Sequence, residues 1–324
     1  MSGQLGFFKD LFFANFQAPS GDLAGKTAII TGANGGIGYY AGLHLVRNNV
    51  SRLIIAVRSA QKGADAKASM LAAVPTFKGK IDVWEVDMAS FDSVRSFAKR
   101  IRSDLDRLDI FLLNAGIQAH TWRVTNDGYE EALQVNSIST GLLCLLVLPL
   151  MVKTAQQTKQ KPHMSLVTSD THAWSTFKQG QEKNIIAALN DKSLLKDPVD
   201  HYSLTKLIVI YITLELASLP LAKDIVVNCV TPGLCNSDLY RESPSMQMRM
   251  IGALGWPSEK GSRNLSWAVM NSRKSGSYIV ICQEKEPSKA LVTSANGQRM
   301  EKQVWSELTQ IWKNVSPDVG PLLV

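Results

Sequence analysis

Residues 26–38 read K-T-A-I-I-T-G-A-N-G-G-I-G. A run rich in β-branched residues, Thr27-Ala28-Ile29-Ile30-Thr31, meets Gly32, Gly35, Gly36 and Gly38 at once, and a helical pattern follows. Strand, tight turn and helix in that order open a dinucleotide-binding unit. The turn needs backbone angles that a Cβ resists. A pyrophosphate, moreover, reaches a helix N-terminus only where no side chain intervenes. An ordinary αβ turn can also be glycine-rich, so the remainder of the chain has to discriminate.

Working outward, helices are expected over residues 37–48, 62–71 and 90–101, the last capped by Ser90, and strands over 52–57, 81–86 and 108–113. A mostly helical stretch at 128–147 follows, then a strand within 162–168, a helix at 200–219, strands at 224–230 and 277–281, and a C-terminal helix at 297–315. This rhythm predicts an α/β fold. It is a doubly wound, Rossmann-like parallel sheet of about seven strands, flanked by helices on both faces, in a single domain over residues 24–324. An apolar arm, residues 1–23, precedes it. Two long loops, an insertion at about 173–199 and a segment at about 236–261, leave the carboxyl edge of the sheet, where ligands bind. The second holds Met246, Met248, Met250, Ile251, Leu254 and Trp256, which reads as an apolar substrate lid or as ordinary helix packing.

Composition narrows the function classes. The 324 residues are 45% hydrophobic and 19% charged, with a net charge of +7. That balance suits a phosphate-bearing ligand, but the basic residues are scattered, so nucleic-acid binding is not expected. The five histidines lack ligand spacing, and no metal site is expected. Cys144, Cys229, Cys235 and Cys282 lie far apart or in apolar runs, which points to a reducing compartment and a cytoplasmic location. In the arm, Phe8, Leu11, Phe12 and Phe16 share a helical face; packing over the body is the first reading and weak peripheral membrane association the second. The longest apolar run, 142–152, is too short to span a bilayer and contains Pro149.

At the end of the second strand an acidic residue would hold the ribose hydroxyls of NAD. Arg58 stands there instead, with Lys62 nearby, and an arginine fork suits a 2′-phosphate, so NADP(H) is expected. Asn136 sits inside an apolar helix and needs partners. Tyr202 and Lys206 share one helical face. A phenol is a weak acid, and a nearby ammonium stabilises its phenolate.

Taken in order, T-G-A-N-G-G-I-G, Asp87, N-A-G at 114–116, Asn136, Ser169, Y-S-L-T-K at 202–206 and P-G at 232–233 resemble the classical short-chain dehydrogenase/reductase family over about residues 24–285. The likeness is greatest to the retinol-dehydrogenase-like branch and extends to reductases of fungal secondary metabolism. The resemblance implies that Gly32, Asn34, Gly36, Ile37 and Gly38 form the cofactor turn and that Arg58 reads the 2′-phosphate. By the same resemblance Asp87 and Met88 face the adenine, and Asn114, Ala115 and Gly116 line the cofactor near the ribose. Asn136, Ser169, Tyr202 and Lys206 resemble the catalytic tetrad, and Pro232, Gly233 and Leu234, with Ser237, the loop that holds the carboxamide. Tyr202 would donate the proton, Lys206 would also hold the ribose, Ser169 would orient the carbonyl oxygen, and Asn136 would hold a relay water. The implied reaction is NADPH-dependent reduction of a ketone or aldehyde on a fairly large apolar molecule, or the reverse oxidation.

Alternatives stay open. One is a redox-neutral epimerase, isomerase or enone reductase on the same site; another is a non-catalytic NADP-binding regulatory protein. The family pairs through the helices carrying Asn136 and Tyr202, so a homodimer is one expectation and a monomer the other. Gly35 replaces the family's frequent serine, Ser237 follows Asn236 where a threonine is usual, and the interval from Ser169 to Tyr202 is long. Trp174 and Phe177 in that interval would loop out or cover the pocket. His172 is a lesser candidate for shaping the pocket, His172 and His201 for donating protons, while Asp170 and Asp200 read as caps or solvent-facing groups.

Overall fold

The structure, a computed structural model, describes residues 16–194, 197–236 and 255–323. Its sheet contains β1 (Thr27–Thr31), β2 (Arg52–Val57), β3 (Lys80–Glu85), β4 (Ile110–Leu113), β5 (His163–Val167), β6 (Val226–Val230), β7 (Ser277–Val280) and β8 (Gln283–Lys285). The order across it is β8-β7-β6-β5-β4-β1-β2-β3, parallel throughout except at β7–β8. The strand beyond the expected seven is β8, whose three residues Gln283–Lys285 are all exposed. It carries no apolar alternation, hence no sequence signal. The two-residue turn before it holds Ile281 and Cys282 at φ of 52° and 54°. Asparagine and glycine usually occupy such a turn; here the Asn264 side chain accepts the Cys282 N–H at 2.7 Å and Cys282 is buried.

Period-two alternation sends successive residues of each central strand into opposite layers. Ile29, Ile54 and Phe111 point into one core, with Leu145 and Ile208 from the helices above. Ala28, Ile30 and Leu53 point into the other, with Leu45 and Val269. The second layer is built from α1 (Gly36–Arg47), α2 (Ala60–Ala73) and, entering later in the chain, α6 (Ser258–Met270). The first is built from α3 (Phe91–Asp104), α4 (Ser139–Thr158), α5 (Pro198–Ser218) and α7 (Ala295–Val315). Ser90 does cap α3, accepting the Ser93 N–H.

The helical stretch from Glu131 is longer than its pattern indicated. Glu131–Leu133, a π turn over Gln134–Ile138 and α4 run on to Thr158, with Pro149 inside. By length and composition this helix could cross a membrane, but 89% of its apolar window lies inside the protein, as befits the central helix of a core. Trp312 of α7 is fully buried on it, its indole N–H donating to the Ile138 carbonyl at 2.8 Å. The insertion does not loop out. Glu307 of α7 accepts the N–H groups of Ile185 and Ile186 at 2.9 and 2.7 Å, and Arg299 donates to the Gly180 carbonyl at 2.7 Å.

Candidate active site

β1 and β4 are neighbours, yet the chain leaves them toward opposite edges of the sheet. A cleft of about 520 Å³ opens at their carboxyl ends, the position where such folds bind ligands. Gly32 and Gly36 take left-handed φ values of 69° and 53°, and Gly38 lies so close to Asn114 and the Gly32 carbonyl that a Cβ would overlap both. At Gly35 and Gly36 an added Cβ would meet nothing within 4 Å. Gly35 begins α1 with no side-chain hydrogen bond, and the first turn carries no acidic residue. A helix end with unneutralised N–H groups and space above it fits an anionic pyrophosphate. Asn34, Gly36, Ile37 and Gly38 all line the cleft there.

Arg58 stands at the end of β2 and lines the cleft with Ser59 and Lys62. Ser59 caps α2 by accepting the Lys62 N–H, which draws Lys62 back toward the strand end. On the adjoining wall, Asp87 folds its carboxylate onto the Ala89 N–H at 2.9 Å and Met88 is buried beside it. Asn114 stitches β4 to the glycine turn: its side chain donates to the carbonyls of Thr31 and Gly32 at 2.9 and 3.2 Å. Thr31 Oγ1 in return accepts the N–H groups of Asn114 and Ala115.

The four candidate catalytic residues come from three elements. Ser169 follows β5, Tyr202 and Lys206 lie on α5, and Asn136 lies in the π turn before α4. Ser169, Tyr202 and Lys206 line the same cleft. Lys206 Nζ lies 5.8 Å from the Tyr202 ring centre and donates to the Val167 carbonyl at 2.9 Å. Burial lowers its pKa to about 8. A Cβ on Gly116 would sit 3.1 Å from both Asn136 Oδ1 and Lys206 Nζ, so this glycine lets the two groups approach the cofactor-lining segment. Asn136 donates to the Ile117 carbonyl and to Thr205 Oγ1, each at 2.9 Å, and accepts the Ile117 N–H at 2.8 Å. Both amide hydrogens are therefore committed to protein, and any relay water has only the second lone pair of Oδ1 on this side chain.

Beyond β6, Pro232 and Gly233 line the cleft. Gly233 takes φ of 72°, and the Trp256 ring lies against it where a side chain would stand. Leu234 is not among the lining residues; its carbonyl accepts the Trp256 N–H at 2.8 Å, and Cys235 lines the cleft instead. A two-residue parallel ladder pairs Cys235 with Trp256 and Asn236 with Pro257. Phe16 packs edge-on against Trp256 at 4.7 Å and is buried. This end of the arm therefore packs on the body. Ser237, Met246, Met248, Met250, Ile251 and Leu254 lie outside the described residues, as do Phe8, Leu11 and Phe12.

Several readings of single residues change. Phe177 is buried against the Gly180–Met300 contact and Trp174 is about half exposed, and neither lines the cleft. His172 uses both ring nitrogens, on the Ser169 carbonyl at 2.7 Å and the Ser288 N–H at 3.1 Å, so it is a structural clamp. His201 is buried with Nε2 on the Glu130 carboxylate at 2.7 Å, pinning the start of α5 to the helix that carries Asn136. Asp170 is not a solvent-facing group, since its carboxyl accepts the Tyr278 hydroxyl at 2.6 Å. Gln118, Arg123 and Glu131 also line the cleft. They lie in or just after a stretch without periodicity, which left no pattern to find them by.

The chain is 38% identical over 322 residues to the short chain dehydrogenase/reductase dmxR8 of Cryptosporiopsis sp., covering 97% of this chain and 99% of that one. The chain belongs to the short-chain dehydrogenase/reductase family. The family profile described as short chain dehydrogenase matches residues 26–159. A second fungal relative of this dehydrogenase/reductase, the short chain dehydrogenase sol3 of Alternaria solani, is 35% identical over 283 residues, covering 86% of this chain and 98% of the relative. Among solved structures, a protein from Mycobacterium paratuberculosis superposes with a TM-score of 0.68 at 22% identity, covering 93% of this chain and 98% of its own. The NADP complex of Pseudomonas aeruginosa RhlG gives 0.59 at 22% identity, covering 80% and 95%. The fold of this reductase family member is thus shared with both.

Proposed function

We propose that this oxidoreductase uses NADP(H) to reduce a ketone or aldehyde on an apolar small molecule, and that it serves fungal secondary metabolism. The observation that carries the cofactor choice is Arg58, with Lys62, at the end of β2 where a carboxylate would select NAD. The NADP complex of a structural neighbour supports the same choice. The bound cofactor would supply the hydride. The chain's own part is orientation and proton transfer. The open N-terminus of α1 would hold the pyrophosphate, and Arg58 the 2′-phosphate. Ser169 Oγ already accepts the Thr171 N–H, at 3.2 Å, which leaves its own hydrogen for a substrate carbonyl oxygen. Tyr202 would deliver the proton to that oxygen, and the Lys206 ammonium would stabilise the phenolate left behind.

Two further readings accompany it. Helix α7 lies across α4 and α5, through Trp312 on Ile138 and Lys302 on Glu215 at 2.7 Å, and so covers the helices through which a family dimer would pair. We infer a monomer that works in the cytoplasm, a location supported by four free and buried cysteines. The direct test follows absorbance at 340 nm with NADPH or NADH and a panel of bulky ketones and aldehydes, with Tyr202→Phe alongside. NADPH-preferring oxidation that collapses in the variant supports the reading. Equal use of NADH, or a variant as active as the parent, overturns it.

A further inference from the structure

The chemistry assigned above leaves the half-buried Asp170 carboxyl, beside Ser169, without a role. Ser169 begins a short turn, Asp170–Trp174. Asp170, next in the chain, accepts the Tyr278 hydroxyl of β7 at 2.6 Å, and the residue after Tyr278, Ile279, accepts the Thr231 N–H at 3.1 Å. Thr231 Oγ1 in turn accepts the Gly233 N–H at 3.2 Å. Through Tyr278 and the strand it lies on, one carboxyl therefore ties the turn that presents Ser169 to the loop that carries Pro232 and Gly233. The turn is held a second time by His172. Its Nδ1–H donates to the Ser169 carbonyl and its Nε2 accepts the Ser288 N–H, an arrangement that only the neutral ring satisfies. The His172 ring also packs edge-on against Tyr278 at 5.2 Å, so the two anchors support one another. Burial pushes the Asp170 carboxyl up from the ordinary carboxylate range, while the Tyr278 hydroxyl pulls the other way.

We propose that Asp170 is a positioning residue for the reduction: through Tyr278 it fixes the Ser169 hydroxyl relative to the loop that carries Pro232 and Gly233. The proposal rests on the reading that Ser169 holds the substrate carbonyl oxygen. Its physical basis is the steep dependence of rate on placement, in which a shift of about 1 Å costs on the order of 100-fold. An anchor that served folding alone would have no reason to act through Ser169.

The experiment is a double-mutant cycle on kcat, measured at saturating NADPH with the ketone or aldehyde of the panel that the parent reduces fastest, and with the folded fraction established by circular dichroism. Asp170→Ala is expected to lower kcat about 10- to 100-fold in the parent and less than about 2-fold in Ser169→Ala, because a misplaced hydroxyl matters only where there is one. Asp170→Asn keeps an oxygen that accepts from Tyr278, and should restore kcat to within about 3-fold of the parent. Should Asp170→Ala fold poorly, Tyr278→Phe removes one donor with little change of shape. Its loss of several-fold should also vanish in Ser169→Ala. Losses that are equal in the two backgrounds overturn the positioning role of Asp170 and leave the reductase reading intact. A Ser169→Ala variant with parental kcat overturns both.

Discussion

The two halves of the sheet hold their site residues in different ways. On the β1–β4 side the groups proposed to hold the nucleotide sit on short contiguous motifs: the glycine turn, Arg58 directly after β2, and Asn114 directly after β4. Main-chain geometry and nearest-strand contacts place them. On the β5–β8 side the groups proposed to act on the substrate are placed by side chains distant in sequence. Tyr278 reaches Asp170 across 108 positions, Ser288 reaches His172 across 116, and Trp312 reaches Ile138 across 174. Cofactor binding can thus be specified locally, because strand, turn and helix N-terminus are a complete binding device. Proton delivery to a carbonyl cannot, because the turn with Ser169 and the helix with Tyr202 must converge on one atom.

That contrast is open to test. The largest effect is expected at the assembled end: Tyr202→Phe should lower kcat about 1,000-fold, within the usual range for loss of a positioned acid. NADPH affinity, read by fluorescence titration, should change only a few-fold. Comparable losses in both quantities would mean that the two halves are not separable. At the local end, Arg58→Ala should reduce the preference for NADPH over NADH in kcat/KM by about 10- to 100-fold, the span of a charge-assisted hydrogen bond. Its kcat at saturating cofactor should be unchanged.

The pH profile probes Lys206, whose pKa burial lowers to about 8. The ammonium is the useful form, so kcat/KM for reduction should fall about tenfold per unit as pH rises above that value. A flat profile to pH 10 would remove Lys206 from the proton step. A smaller effect is expected at Phe16, whose contact with Trp256, 240 positions further along the chain, supports the Gly233 loop. Phe16→Ala should raise KM for NADPH about 3- to 10-fold with kcat less affected, as suits a residue that shapes binding through another. If only the melting temperature moved, the arm would be packing and nothing more.

The smallest effect concerns Glu301, between α5 and α7. Burial and the neighbouring Glu215 raise its pKa to about 7. A raised carboxyl pKa favours the protonated native state, so its contribution to stability is full below pH 4.5 and is lost as pH rises through about 7. Glu301→Gln imitates the protonated form. It should raise Tm by about 1–2 °C at pH 8 and leave it unchanged at pH 4.5. A uniform shift across that range would mean that packing, not charge, is responsible.

Legibility followed the same division. The parallel strands, the helix pattern and the glycine turn were readable because period-two and period-3.6 alternation, with glycine at fixed offsets, are local signals. Residues 283–285 escaped because an exposed polar edge strand has no alternation to read. The helix that begins at Glu131 looked shorter than it is because its polar C-terminal turns, through Gln156 and Gln157, lack the apolar signal of its centre. Of the site, Ser169, Tyr202 and Lys206 were legible as types and spacings, and the cleft brings them together. Phe177 looked like a pocket residue because an aromatic in a loop after a catalytic strand gives no hint of what covers it.

By itself the sequence determined the fold class and singled out the glycine turn, Arg58, Ser169, Tyr202 and Lys206, which one cleft gathers. These depend on interactions within a turn or between adjacent elements, and a run of a dozen residues contains all the partners. Only the tertiary structure decided that Asp170 points inward to Tyr278, that His172 is locked as a neutral clamp, and that the C-terminal helix lies over α4 and α5. Each of those outcomes depends on which distant side chain satisfies a buried polar or apolar group. That partner is selected by packing, and no local pattern records it.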